Sequence, residues 1–459
     1  MKNKNLLKVF GITLLAVFLL TWIIPSSTSG TSGIELGAIT PTGYADIFAS
    51  FEVILYYFAK PSLFILMVGM FYGVINKTGS YKAVVDKISS VFKKKRVLFA
   101  ILTVLLFGAT TVATGIYLPM FMFIPLFIAV LLELKYSKLQ SLLATAGSVV
   151  LGLISQISSN TYASVTGVEN NTFIWIKLGL AVVLLTLNVL YIIKINVKKN
   201  KKEEEISDTM FVPEKRDTVK GKTPKGIALA IVLVLTFAVF ILGLTYIKDA
   251  TIFSTLYTNI QNVKIGSFAI FDAILGSFEV FGSWTWISLY ATIGLAIIIM
   301  AISNSLTLRE TVESCMEGAK KVFGLAIIAA LLSLVAIFTL NSGFLMTVIN
   351  FIAKGGNIAL VTLSSFIGSP FMVEEVYAAQ YILQILYSVT ANDAMVELYG
   401  LIIQITYGFG MLIAPSSILL MISLYYLGEG YTKWFKYIWK LLIVVLAACL
   451  IAITIATLI

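Results

Sequence analysis

The stretch SQISSNTYASVTGVENNTF, residues 155–173, places hydroxyl and amide side chains between two long apolar runs. Such a stretch is either an external turn, which is also rich in Ser, Asn, Thr and Gly, or a polar break inside a bilayer. A break at membrane depth must be buried in protein or line a wet cavity, because unpartnered backbone groups are costly in hydrocarbon. In that case the side chains that could contact a ligand are Ser158, Ser159, Asn160, Thr161, Ser164 and Thr166.

These side chains offer neutral oxygen atoms as possible ligands. Hydroxyl, amide and freed main-chain oxygens suit a hard cation such as sodium. The N-termini of half-helices at a break suit an anionic group instead. At membrane depth the segment therefore predicts a ligand-binding site, and in water it predicts a turn.

A second interruption lies in QITYGFGMLIAPSSILLMISLYYLGEGY, residues 404–431. Gly408 and Pro415 interrupt an otherwise apolar run, and Ser416 and Ser417 follow the proline. A proline inside a helix removes one hydrogen bond and clashes with the preceding turn. The segment predicts a second polar break, and the alternative is a kinked helix whose hydroxyls bond back to its own carbonyls.

Carboxylates in apolar surroundings are a further signal. Glu374 and Glu375 follow FIGSPFMV, and Asp393 follows SVTAN. A charge at the centre of a bilayer costs about 2.5–3.5 kcal/mol on insertion scales, so a carboxylate that stays there usually faces an interior path. The alternative is that these residues sit at loop ends, where that cost disappears.

The composition identifies the class of protein. Only 12% of the 459 residues are charged and the mean hydropathy is +0.97, whereas soluble domains carry about 25% charged residues. The chain is therefore expected to be an integral membrane protein. It contains no histidine, which excludes Ser-His hydrolases, H-E-x-x-H metalloproteases and a histidine proton relay. Its two cysteines lie far apart in sequence, so neither a disulfide nor a zinc site is expected.

The net charge of +10 lies mainly in loops beside apolar segments. That distribution is typical of topogenic charge facing the cytoplasm, and it does not predict a nucleic-acid partner. Lysines precede the first apolar run, residues 25–59 then contain no Lys and no Arg, and the loop 77–96 is strongly basic. We expect a multi-pass protein of the bacterial cell membrane with its N-terminus and the 77–96 loop in the cytoplasm.

Apolar runs long enough to cross a membrane recur along the chain, since a spanning helix needs about 20 mostly apolar residues. We expect an all-α polytopic protein with about ten to twelve transmembrane helices. The first apolar run resembles a signal peptide, but it continues to Ile24 and is interpreted as an uncleaved helix. The candidate spans are roughly 6–24, 52–75, 97–115, 117–134, 140–157, 172–194, 226–247, 284–303, 322–340, 344–366, 377–392, 398–427 and 437–459.

A charged segment divides the chain into two similar halves. Residues 1–194 form a first membrane repeat, 195–225 a charged cytoplasmic linker, and 226–459 a second membrane repeat. Each half begins with a helix and a segment poor in Lys and Arg, and each later carries a Gly- and Ser-bearing break. Two halves with matching interrupted segments favour a secondary transporter.

Several segments resemble the YfcC-type carriers. They are LTWIIP at 20–25, LLATAGSVVLGLISQISSNTYASVTGVENN around the first break, SLTLRETVESCMEGAKKVFGLAIIAALL at 305–332, and residues 404–442. These matches follow the family's order over most of the chain. That family belongs to the ion transporter superfamily, with relatives that carry four-carbon dicarboxylates and others proposed to exchange arginine for ornithine.

The resemblance implies two inverted repeats with re-entrant hairpins that meet near mid-membrane. By position it places Asn160 and Thr161 at the first hairpin tip. The chain departs from the family pattern in lacking adjacent glutamates within 111–125, and Glu374 and Glu375 are the candidate substitutes. The second site that the resemblance implies consists of Ser369, Gln404, Gly408, Pro415, Ser416 and Ser417.

We therefore predict a secondary active transporter of a small polar metabolite, an amino acid or a carboxylate, working by alternating access with ion coupling or exchange. The alternatives are an antiporter of basic amino acids or a passive channel. An enzyme is not expected, because the chain lacks the groups of the usual intramembrane chemistries. We expect no cofactor and no bound metal; sodium or a proton is the candidate coupling ion. The expected partners are a small-molecule substrate and the lipid bilayer, with a homodimer as the candidate assembly.

Overall fold

The computed structural model describes residues 4–30, 33–57, 59–158, 172–197, 209–214, 226–245, 251–270, 273, 276, 279–390 and 395–459. Over these residues the chain is almost entirely helical. It forms two compact units. The first unit comprises Met1–Ser62, Ser89–Val212 and Gly324–Ile459, and the second comprises Leu63–Ile88 and Pro213–Phe323.

The helices follow the apolar runs of the sequence. In chain order they are α1 (Lys4–Ile23), α2 (Tyr44–Tyr57), α3 (Ala59–Lys77), α4 (Ser80–Phe92), α5 (Arg96–Thr114), a 3₁₀ turn (Leu118–Met122), α6 (Ile124–Glu133), α7 (Lys138–Leu142), a π-helical turn (Leu143–Gly147), α8 (Ser148–Ile154), α9 (Ile174–Val197), α10 (Gly226–Leu244), α11 (Thr251–Gln261), α12 (Trp286–Ser303), α13 (Leu308–Ser342), α14 (Phe344–Ala353), α15 (Ile358–Gly368), a 3₁₀ turn (Ser369–Phe371), α16 (Glu375–Thr390), α17 (Val396–Met411), α18 (Ile418–Leu427) and α19 (Tyr431–Ala456).

Two short antiparallel hairpins complete the described structure. In the first unit β1 (Ser27–Gly30) pairs with β2 (Gly33–Leu36), with Ser27 opposite Leu36. In the second unit β3 (Lys264–Ile265) pairs with β4 (Phe268–Ala269). Both hairpins lie in the polar segments that follow an apolar helix, where water can satisfy their outer edges.

Eight helices in the described part of the chain are long and apolar enough to cross a membrane. They are α1, α3, α5, α9, α10, α12, α13 and α19. Because these helices dominate the structure, the predicted class, an all-α polytopic membrane protein, is confirmed. The count of ten to twelve crossings and the two inverted repeats with re-entrant hairpins stay predictions.

Several predicted spans are divided into shorter helices. The run 344–366 forms α14 and α15, and the run 398–427 forms α17 and α18, each pair separated by a turn. The first turn contains Gly355 and Gly356, both with positive φ, and the second contains Pro415. Hydropathy identified the apolar runs, but a mean over 20 residues does not register a single residue that ends a helix.

Small residues let the helices of the first unit approach closely. A Cβ on Gly152 of α8 would lie 2.6 Å from the main-chain oxygen of Gly108 and 2.9 Å from the Thr111 side chain, both on α5. Glycine at the crossing brings the two backbones together, which is the usual way that membrane helices pack without a hydrophobic driving force. This contact fixes α8, whose C-terminus carries the first break, against α5.

Glycines also bring two helices of the second unit close together. A Cβ on Gly318 would overlap the main-chain oxygen of Gly69, and it would lie 2.9 Å from the Cα of Gly73. Gly69 and Gly73 are four residues apart on α3 and so share one face of that helix. The acidic turn of α13 that resembles the YfcC-type carriers therefore contains a glycine at a helix crossing.

Candidate functional site

The first break begins where α8 ends. After Ile154 the chain turns at Ser155, and the amide N–H of Ile157 donates to the main-chain oxygen of Val112 on α5 at 2.8 Å. Ser158, which follows, is half-buried. The end of α8 is thus held against α5 by a main-chain hydrogen bond. The other predicted polar residues of this break, Ser159, Asn160, Thr161, Ser164 and Thr166, lie outside the described residues, as does Asp393.

The second break separates α17 from α18. The chain forms two helices here, and not one kinked helix, because α17 ends at Met411 and α18 begins only after Pro415 and the buried residues Ser416 and Ser417. The carbonyls freed by this break have side-chain partners from α19. The indole of Trp434 donates to the main-chain oxygen of Leu412 at 2.9 Å, and the hydroxyl of Tyr431 donates to that of Ile413.

The freed main-chain oxygens of the second break are themselves engaged. Trp434 and Tyr431 each donate one hydrogen bond there, to Leu412 and Ile413, and each carbonyl oxygen keeps a second lone pair. The Ser416 hydroxyl is also engaged, since it donates to the main-chain oxygen of Pro370. Its oxygen keeps lone pairs that can accept from a ligand.

Gln404 joins the two breaks. The side chain is fully buried, and its Nε2 donates to the main-chain oxygens of Gln156 at 2.9 Å and Ile154 at 3.3 Å. One turn further along α17, a Cβ on Gly408 would lie 2.7 Å from the Cα and main-chain nitrogen of Ile154. Gln404 and Gly408 are four residues apart and share a helix face. That face of α17 thus receives the C-terminus of α8.

Ser369 belongs to a separate group of hydroxyls. Its Oγ lies 3.1 Å from the Oγ1 of Thr406, which also lies 2.7 Å from the Oγ of Ser365. Thr406 in turn donates to the main-chain oxygen of Ile403 at 3.1 Å. These three side chains are buried and bonded to one another. The structure thus gives Ser369 a partner that joins α15 to α17.

The two adjacent glutamates differ in their surroundings. Glu375 begins α16, is 7% exposed, and accepts a hydrogen bond from the Nε2 of Gln156 in the first break. Glu374 precedes the helix, is half-buried, and lies within electrostatic reach of Lys60. Glu375 therefore lies at the end of a loop and is also buried, because protein encloses that end of the loop.

Three functional candidates were missed in the sequence. Gln156 is 1% exposed and contacts both Glu375 and Gln404. Lys177, in the first turn of α9, is also 1% exposed, and Glu397 lies in the first turn of α17. Lys177 could have been noticed as a lone charge within the apolar run 172–194. Nothing in the sequence singles out Gln156 from other polar residues of the first break.

Lys177 lies within electrostatic reach of Glu375 and Glu397. Its ammonium is buried without a hydrogen-bond partner among the described residues, and so is one carboxylate oxygen of Glu397. The Oγ of Ser155 and the Oε1 of Gln404 are likewise buried without a hydrogen-bond partner among the described residues. We call Ser155, Gln156, Lys177, Glu375, Glu397 and Gln404 the polar cluster.

The polar cluster is chemically incomplete. Buried polar atoms in native proteins are nearly always hydrogen-bonded to protein or to ordered water. In the cluster a donor-only group, the Lys177 ammonium, is unpaired alongside acceptor oxygens of Glu397 and Gln404. Burial without pairing is most costly for a charge. A solute or water molecules that accept from Lys177 would remove that cost.

Comparison with known proteins identifies the family. Residues 59–384 match the model of a family described as DcuC, C4-dicarboxylate anaerobic carrier. The chain belongs to the DcuC family. As a member of that family it is a multi-pass membrane transporter of small metabolites. The finer assignment to the YfcC-type carriers stays a prediction. The matched range contains Gln156, Lys177 and Glu375 and ends before Glu397, Gln404 and the second break.

Two solved structures align with this DcuC-family chain over most of its length. The YdaH transporter of Alcanivorax borkumensis aligns at 10% identity over 98% of this chain and 98% of that chain, with a TM-score of 0.40. MtrF of Neisseria gonorrhoeae, described as one of a class of antimetabolite efflux pumps, aligns at 13% identity over 98% of this chain and 94% of that chain, with a TM-score of 0.41. At such scores the likeness supports no argument about residues. No curated protein matches the sequence.

Proposed function

We propose that this protein is a secondary active transporter that carries a small carboxylate-bearing metabolite across the cell membrane by alternating access. The observation that supports this most directly is the contact of Gln404 with the end of the first break, together with the buried ammonium of Lys177, which lacks a partner among the described residues. A multi-pass carrier needs a solute site where helices are interrupted, and such sites form where the two halves meet. We infer that the polar cluster is this site, because its residues come from both sides of the charged segment 195–225.

The charges of the polar cluster favour a substrate with at least one carboxylate. Lys177 offers three N–H donors and no acceptor, and its ammonium is buried. A carboxylate is the strongest acceptor that it could receive. The family description names C4-dicarboxylates, which carry that group. An amino acid carries it as well, and its ammonium group would suit Glu375 or Glu397.

The same charges favour ion coupling over a passive channel. With Lys177 protonated and Glu375 and Glu397 ionised, the cluster carries one excess negative charge before any substrate arrives. A bound carboxylate adds further negative charge to a buried site, which is costly unless a cation accompanies it. We propose that sodium or a proton enters with the substrate, at Glu375 or Glu397.

The remaining predicted site residues belong to the same proposal. Asn160 and Thr161, with the neighbouring hydroxyls of the first break, would supply neutral oxygens next to the polar cluster, and Ser416 would do so from the second break. Exchange for a basic amino acid is the second candidate function, since Glu375 and Glu397 together could bind a cationic group. The cytoplasmic N-terminus and the homodimer are retained as proposals from the sequence.

The test is uptake into proteoliposomes that contain the purified protein. A panel of C4-dicarboxylates, amino acids and the matching decarboxylated amines is offered with imposed sodium, proton or counter-substrate gradients. We expect uptake of a carboxylate-bearing compound that one of these gradients accelerates, and no uptake of the decarboxylated amines. Uptake that preloaded substrate fails to accelerate, and that no gradient affects, would identify a channel and end the carrier proposal.

A further inference from the structure

A groove opens between the C-terminal turns of α9 and the N-terminal half of α19, away from the polar cluster. It encloses a cavity of about 610 Å³. Three lysines line it, Lys194 from α9 and Lys436 and Lys440 from α19, and all three are exposed. None of its described lining residues is acidic. We call this cavity and its lining the basic groove.

The basic groove changes from charged to apolar in the same direction along both walls. On α19 Lys436 and Lys440 are followed on the same face by Val444, about 6 Å further along the axis from Lys440 at 1.5 Å per residue. On α9 Lys194 is preceded by Leu190, also one turn away. Leu190 is 57% exposed and Val444 is 45% exposed. The groove therefore has a basic end and an apolar floor.

Aromatic side chains hold the basic end together. The hydroxyl of Tyr191 on α9 donates to the main-chain oxygen of Tyr437 on α19, and the two rings pack edge to face with centroids 5.7 Å apart. The ammonium of Lys440 lies 5.4 Å from the centroid of the Trp439 ring. Tyr and Trp with lysine nearby are typical of the membrane–water interface. The walls are thus joined before any ligand binds.

We propose that the basic groove binds an anionic phospholipid, with its phosphate at Lys194, Lys436 and Lys440 and an acyl chain along Leu190 and Val444. Basic pockets between transmembrane helices suit anionic head groups. A zwitterionic phospholipid would bring its own cation close to the three lysines, and no acidic side chain among the described lining residues would compensate that charge. The basic groove suits a ligand with both a phosphate and an acyl chain, since a free phosphate would leave the apolar floor uncovered.

Topogenic charge alone does not account for this arrangement. Lysines that only orient a helix need to be in a loop, and they have no reason to converge. Here residues separated by more than 240 positions in sequence line one cavity. The sequence predicts that this side of the protein faces the cytoplasm, because α9 leads into the charged segment 195–225. That leaflet of a membrane carries the anionic lipid that the groove suits.

The test compares lipid retention by variants of equal charge. The full chain is purified from membranes and exchanged into detergent containing phosphatidylglycerol or phosphatidylcholine, and bound lipid is counted by native mass spectrometry. The triple variant Lys194→Gln, Lys436→Gln, Lys440→Gln removes the basic end of the groove. Its matched control is Lys93→Gln, Lys94→Gln, Lys95→Gln, which removes three exposed lysines elsewhere in the same unit.

We expect the wild type and the control to retain phosphatidylglycerol over phosphatidylcholine, and the groove variant to lose that preference. Each lysine near an anionic surface contributes about 1 kcal/mol, so each should account for roughly a fivefold change in retention. Equal retention of the two lipids by the wild type, or equal loss in both variants, would overturn the proposal. If the groove instead binds a second copy of the chain, the wild type should retain the two lipids equally, which is the first of these results.

Folding of the variants is checked by thermal unfolding in the same detergent. If the triple variant does not purify in folded form, Lys440→Gln is compared with Lys94→Gln by the same measurement. A roughly fivefold lower retention in the first alone supports the groove. Equal retention in both overturns it. Neither comparison depends on the transport proposal, because uptake is not measured.

Discussion

The side-chain amide of Gln404 donates to the main-chain oxygen of Gln156 at 2.9 Å, and so joins two segments that are 248 residues apart in sequence. Both atoms lie in a fully buried region, and Gln156 uses its own amide to bond Glu375. These two hydrogen bonds, both through Gln156, link the first break to α17 and to α16.

Replacement of Gln404 by alanine should destabilise the protein and reduce uptake. The change leaves the main-chain oxygens of Ile154 and Gln156 without their present donor, and an unsatisfied buried acceptor costs about 1–3 kcal/mol. Thermal unfolding in detergent and uptake into proteoliposomes measure the two effects. Gln261→Ala serves as the control, because that amide donates to a partly buried tyrosine hydroxyl one turn away on the same helix. Equal effects of the two substitutions would show that the contact has no special importance.

Gly408→Ala should be poorly tolerated. The added Cβ would lie 2.7 Å from main-chain atoms of Ile154, and main chain cannot move aside as a flexible side chain does. Overpacking of this kind typically costs about 1–3 kcal/mol. Gly179→Ala is the matched control on α9, where a Cβ meets nothing within 4 Å. There the better helix propensity of alanine should stabilise the protein by up to about 1 kcal/mol. A neutral Gly408→Ala variant would mean that α8 and α17 are not packed as described.

Lys177→Met should abolish most transport of carboxylates while leaving a folded protein. Methionine fills similar space without the charge, so Glu375 and Glu397 lose the cation within their electrostatic reach. We expect uptake to fall at least about tenfold, equivalent to about 1.4 kcal/mol. Lys177→Arg keeps the charge and should retain more activity than Lys177→Met.

The control for this substitution is Lys320→Met, at an exposed lysine of α13. Concentration dependence separates a binding effect from a change in the rate of the cycle. A substrate-binding role predicts a raised KM for carboxylates, whereas a merely structural role predicts fewer folded molecules with an unchanged KM. Unchanged KM in Lys177→Met would remove Lys177 from the substrate site.

Asn160→Ala and Ser416→Ala should each reduce transport without preventing folding. The first residue was selected from the sequence alone and lies outside the described residues. The second loses one hydrogen bond, that of its hydroxyl to the oxygen of Pro370, which is worth about 1 kcal/mol. Uptake and thermal unfolding are measured on the same preparations. Wild-type uptake by both variants would refute the assignment of the two breaks to the solute site.

The sequence by itself determined that this chain is a helical membrane protein, and it located the two interruptions. Those conclusions depend on local properties: the length of an apolar run, the scarcity of charge, and a proline or glycine inside a helix. Each of these acts through the solvent or through the backbone of the same segment, so no partner need be known. Gln404 and Gly408 were also selected from the sequence as candidate residues of the second site, and what they contact was not specified.

Only the tertiary structure decided what the polar groups do. It gave the freed carbonyls of Leu412 and Ile413 hydrogen-bond donors from Trp434 and Tyr431. It also brought Lys177 within electrostatic reach of Glu375 and Glu397 and left its ammonium without a hydrogen-bond partner in the described part of the chain. Whether a buried polar atom is paired depends on residues hundreds of positions away. The sequence of one segment does not show which of those residues the fold brings into contact with it.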